Sequence, residues 1–134
     1  MSTIDLGITT RLQSDFDTAV ARTREALAEV GFGVLTEIDM AATLKAKLDV
    51  DVAPYLILGA CNPPLAHAAV GANAQIGLLL PCNVVVRADE AEAGTVVVEA
   101  MNPDLMVQVT GDPAVEQVAA EATEKLRAAI AALG

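Results

Sequence analysis

Residues Cys82–Met101 read CNVVVRADEAEAGTVVVEAM. Two valine-rich runs, Cys82–Ala88 and Thr95–Met101, flank a charged segment holding Asp89, Glu90, Glu92 and Gly94. β-Branched runs around such a segment predict two strands joined as a hairpin. A hairpin makes its strands antiparallel, which points the whole sheet toward an antiparallel arrangement.

Upstream, Tyr55–Cys61 (YLILGAC) is apolar on both faces and is expected inside the sheet. Asn62-Pro63-Pro64 then predicts a helix start: a capping side chain, followed by proline where a missing N–H does no harm. That helix is expected to reach about Asn73, with a turn or short helical piece over Ala74–Leu80. Downstream, Asn102–Leu105 reads as a turn and Met106–Val109 as one more short edge strand. Asp112-Pro113 again pairs a cap with proline. Val115, Val118, Ala122, Leu126, Ile130 and Leu133 then form one apolar stripe at helical spacing.

Toward the N-terminus, Ile4, Leu6, Ile8 and Leu12 alternate with polar residues as in a half-buried strand. Ser14 is the expected cap of a helix carrying Phe16, Val20, Thr23, Leu27 and Val30, with Gly31 as its stop. A strand follows through Val34–Ile38. A short helix capped by Asp39 is expected to turn Met40, Leu44 and Leu48 inward. The expected fold is α+β over residues 1–134. It is a two-layer sandwich with a largely antiparallel five-stranded sheet, a β-α-β(4)-α core and two short inserted helices.

The chain of 134 residues suits one domain, which needs no disulfide or metal staple. With 54% hydrophobic and 2% aromatic residues, its core is built from Val, Leu, Ile and Ala. A formal charge of -10 repels phosphate backbones and anionic membrane surfaces, so no nucleic-acid partner is expected. Met1–Leu6 lacks a basic segment followed by an apolar run, so no signal peptide is expected and the cytoplasm is the default. Cys61 and Cys82 make no secreted disulfide framework.

Val52–Val86 contains no Asp, Glu, Lys or Arg, and His67 is its only titratable base. Asn62, Pro63, Pro64, Asn73, Gln75 and Pro81 interrupt it, which argues against a membrane span. A buried strand with a covered helix and loop fits better. Helices on one sheet face leave the other to be covered, which a symmetric homodimer would do.

Chemistry is expected near Cys61-Asn62-Pro63 and Pro81-Cys82-Asn83. A helix start favours an anion such as a thiolate. Should the two strands be neighbours, both thiols reach one sheet end, with His67 on the intervening helix. Lys45 and Lys47 are candidate anion contacts near that start. The acidic cluster Asp89, Glu90 and Glu92 reads as a solvated hairpin tip. No phosphate-cradling glycine loop or serine-nucleophile elbow occurs.

With these residues in view, the chain resembles domain of unknown function family 302. Thr43–Leu48, Pro54–Pro63, Ala66-His67 and Ile76–Val84 carry the resemblance, which is densest from Thr43 to Val98. It implies a strand-helix-four-strands-helix domain, similar in topology alone to TATA-binding-protein-like folds, and a dimer. It implies no activity or cofactor.

The first functional expectation is a dimeric module for a small ligand or partner, with its pocket at Cys61, Asn62, Pro63, His67, Cys82, Asn83 and Lys45. One alternative is a thiol-dependent redox or transfer protein, with Cys61 as nucleophile, His67 as base and Cys82 as resolving thiol. Another is a metal site of Cys61, His67 and Cys82, at spacings that match no zinc motif.

Overall fold

The computed structural model describes residues 5–134. Five strands, β1 (Gly7–Gln13), β2 (Gly33–Asp39), β3 (Tyr55–Cys61), β4 (Cys82–Ala88) and β5 (Thr95–Met101), form one sheet in the order β1-β5-β4-β3-β2. Every neighbouring pair is antiparallel. The valine-rich hairpin of β4 and β5 lies inside this sheet, and β3 has a partner on each side.

Helices α1 (Phe16–Glu29) and α5 (Glu116–Leu133) cover one face. In α1, Ala19, Thr23, Ala26 and Leu27 turn inward; in α5, Ala122, Leu126, Ala129, Ile130 and Leu133 do so. They meet Leu56, Leu58, Val84, Val86, Val96 and Val98 from the sheet. Each fully buried Val or Leu contributes about 1.5–3 kcal/mol. Helix α1 stops because Gly31 takes a φ of 87°, a conformation that costs a side-chain-bearing residue more.

Several expectations need correction. Ile4 lies outside the described residues, and Leu6 is exposed ahead of β1 rather than within it. Asp15, not Ser14, caps α1: its carboxylate accepts from the Thr18 N–H at 2.9 Å and from the Thr18 hydroxyl. The backbone N–H of Thr18, then its hydroxyl, hold the Asp15 carboxyl below its ordinary pKa. Helix α2 (Met40–Leu48) is capped by Asp39 as expected, yet buries none of its residues, and Leu48 is 66% exposed.

The expected edge strand at Met106–Val109 is instead helix α4 (Asp104–Thr110). The place beside β5 is taken by β1, and the segment folds against the helical layer instead. Asn102 Oδ1 accepts from the Asp104 N–H, and Met106 packs into a second apolar cluster with Ile76, Val115 and Ala119. The inserted helices therefore exceed two: α2, α3 (Pro63–Ala72), α4 and two short 3-10 segments, Ala74–Leu79 and Pro113–Val115.

Among the described residues no helix covers the opposite sheet face, which has its own polar layer. Glu99 accepts from Arg87 at 2.9 and 3.1 Å and from Thr9 at 3.1 Å. Val97 stands opposite both Arg11 and Arg87 and is only 2% exposed, consistent with arginine stems lying over it. The hairpin acids are not simply solvated, because Asp89 and Glu92 both pair with Arg11. The Ala91 N–H first, and Arg11 second, hold the Asp89 carboxyl below its ordinary pKa.

Candidate functional site

At the end of the sheet where β3 finishes and β4 begins, a half-open cavity of about 310 Å³ is formed. Ala60 and Cys61 close β3, Cys82 opens β4, and Ala60 stands directly across from Cys82. Leu65, Ala66 and Ala69 of α3 form one wall; Met106 of α4 and Val118 and Ala122 of α5 form another. Phe32, Leu35, Leu80 and Pro81 complete it. Four lining residues are alanines, and their small side chains leave the space unfilled.

Two irregularities shape the rim. The β2–β3 register shifts between Val34 and Thr36, and a bulge of this kind re-aims the extra side chain. Leu35, inside that shift, lines the cavity while remaining exposed. On β3, Gly59 lets the chain close over itself. A Cβ there would stand 2.8 Å from Pro81 Cγ and closer still to Thr36 Oγ1.

The polar residues of the lining are Cys61, Asn62 and Cys82, and among the described residues no charged residue or histidine joins them. Cys82 is buried; desolvation first, and the neighbouring Cys61 second, push its thiol from 9.0 to about 11. Cys61 is half-buried, and both cysteines are free thiols. The two sulfur-bearing residues thus share one end of the sheet, as the sequence suggested. Strand alternation nonetheless sets Ala60, rather than Cys61, across from Cys82.

Asn62 is only 7% exposed. Its Oδ1 accepts from the Leu65 N–H at 3.2 Å, capping α3. The expectation of an anion-favouring helix start does not hold. Pro63 and Pro64 have no N–H, the Leu65 N–H goes to Asn62 Oδ1, and the Ala66 N–H goes to the Asn62 carbonyl at 2.9 Å. The first three positions of α3 thus have no N–H left to offer an anion.

The remaining candidates lie apart from the cavity. Pro63 follows the cap on the exposed side of α3. His67 is exposed and does not line the cavity, so no thiol–imidazole pair is assembled there. Asn83 alternates to the open sheet face, where it lines a separate groove with Tyr55, Val85 and Glu99. Lys45 pairs with Asp49 at 2.9 Å and Asp51 at 3.2 Å, ahead of the start of β3. It is a strand length away from Asn62, about 20 Å. Among the described residues no group of three or more His, Cys, Asp or Glu could hold a metal ion. No described helix is long and apolar enough to cross a membrane.

Phe32, Met106, Val118 and Ala122 reach the cavity from distant parts of the chain, and the sequence reading missed them. One signal was present: Ala66 and Ala69, three apart on α3, mark a small-residue face.

Fold and cavity together define a one-sided α+β sandwich with an apolar recess at one sheet end. The chain belongs to the family described as Domain of unknown function DUF302, whose model matches residues 8–133. It is similar to a crystal structure of an uncharacterized conserved DUF302 protein from Bacillus stearothermophilus. The two are 29% identical with a TM-score of 0.87, covering 96% of this chain and 98% of that one. No curated protein matches the chain.

Proposed function

We propose that this protein is a binding module for a small apolar molecule, held in the cavity between β3, β4, α3 and α5. The observation that carries this reading is a lining of alanine, leucine and other apolar side chains, with one buried amide and two thiols. Ligand sites are typically concave and mostly apolar, with few polar groups, at about 300–1,000 Å³. This cavity of about 310 Å³ stands at the small end of that range. At ~30 Å³ per water-sized group it has room for roughly ten non-hydrogen atoms. Exposed Leu35 at the rim adds an apolar contact for an arriving ligand.

A thermal-shift screen of small apolar compounds is expected to raise the melting temperature of the wild-type protein. Ala66→Leu, which fills the wall, should abolish that shift while leaving the protein folded. Equal ligand shifts in both proteins would count against the cavity.

A thiol-based reaction is the weaker reading. It lacks a neighbouring base, and the Cys82 proton is held too tightly for ready thiolate formation at neutral pH.

The proposed assembly is a homodimer joined through the open sheet face, where Tyr55, Ile57 and Val85 stay half-buried. Sedimentation equilibrium should return twice the chain mass, and Val85→Arg should return the single mass. A wild-type monomer at micromolar concentration would end this part of the proposal.

A further inference from the structure

We infer that α3, the Ala74–Leu79 segment and α4 form a cap that opens locally to admit an apolar ligand and is locked onto the sheet end once the ligand fills the cavity. The inference rests on the reading of the cavity as a ligand site.

The apolar interior is divided in two. One cluster joins α1 and α5 to the sheet; the other gathers Ala69, Ile76, Met106, Val115 and Ala119. Among the described residues Met101 is the one partly buried side chain packed against both. The cavity lies along the seam. Phe32, Ala60 and Cys82 of the first cluster line it, and so do Ala69 and Met106 of the second.

The cap is the weakly held side of this seam. Helix α1 buries four residues and α5 six. By contrast α3, Ala74–Leu79 and α4 bury one each: Ala69, Ile76 and Met106. Helix α3 packs chiefly on Ala74–Leu79, Pro113–Val115 and α5, and α4 on Pro113–Val115 and α5. Among the described residues no strand is a main contact of either helix. Segments with few buried apolar contacts open at a lower free energy than the whole fold.

Two of the three cap anchors, Ala69 and Met106, line the cavity. A ligand seated there meets these anchors on one side and Ala60 and Cys82 of the sheet on the other. It supplies the apolar contact between cap and sheet that the alanine side chains are too short to make. Opening the cap then also costs the ligand its site, so binding holds the cap shut.

Amide hydrogen exchange followed by mass spectrometry tests this on the wild type, with and without ethylbenzene at about ten times its dissociation constant. In the free protein, α3 and α4 are expected to exchange at least about tenfold faster than β4 and β5. Ethylbenzene should slow α3 and α4 by about tenfold. Helix α2 is the control, because it buries no residue and lies at the other end of β3. Its rate should stay the same. Ala66→Leu places apolar atoms at the same joint and should slow α3 and α4 without ligand. If that variant fails to fold, Ala66→Val carries the same test. A free cap that exchanges as slowly as β4 would overturn the inference. So would a filled variant with the wild-type cap rate. Ethylbenzene that raises the melting temperature yet leaves the cap rate unchanged would overturn it too, with the ligand cavity left standing. Ethylbenzene that changes neither would remove the cavity reading as well.

Discussion

Leu126→Ala is expected to lower the unfolding free energy by about 3 kcal/mol, whereas Leu48→Ala should change it by less than about 0.5 kcal/mol. Both are helical leucines that the sequence places on an inner face. Leu126 is 0% exposed, wedged between α5 and the sheet with Val84, Val86 and Val98 in the same cluster. Truncating it removes buried methyl groups and leaves a void that packed neighbours fill only in part. Leu48 has most of its surface in water and little contact to lose. Urea unfolding of the two variants, compared by midpoint at constant slope, measures the difference. A loss for Leu48→Ala that equals the loss for Leu126→Ala would contradict the packing described here.

In the wild-type protein, with each cysteine followed by peptide mass, native Cys82 is expected to react with iodoacetamide at pH 8 about a hundredfold more slowly than in urea. Alkylation proceeds through the thiolate, and a rise from 9.0 to about 11 removes about 99% of it at that pH. Burial against the cavity wall slows the reagent further. The same shift has a consequence for stability. The folded state holds the Cys82 proton more tightly than the unfolded chain does. This preference stabilises the fold fully below pH 9 and is lost as pH rises toward 11. The wild type should therefore lose stability over that window by more than Cys82→Ala does. Equal native and unfolded labelling rates would show Cys82 to be open to solvent.

Local chemistry made much of the fold legible. The valine runs around Asp89–Gly94, the Asn62-Pro63 helix start and the α5 stripe each have one favourable structure, and each formed as read. The misreadings share a cause. Met106–Val109 has no period of its own, and packing of Met106 against Ile76, Val115 and Ala119 goes with its helical form. Leu48 fits a helical stripe, but a stripe does not say whether any layer lies against it. The cavity was half legible: Cys61, Asn62 and Cys82 stand where the uncharged stretch suggested. His67 was misplaced because two positions along a helix from Leu65 turn a side chain to the other side. Asn83 was misplaced because one step along a strand changes the face.

Two-dimensional amide NMR of isotope-labelled protein titrated with a small apolar ligand such as ethylbenzene locates the ligand directly. Saturable shifts are expected at Phe32, Leu65, Ala66, Cys82, Met106 and Ala122, which line the cavity. Saturation that leaves those signals in place and instead moves Tyr55, Val85 and Glu99 on the open sheet face would contradict a ligand site in the cavity.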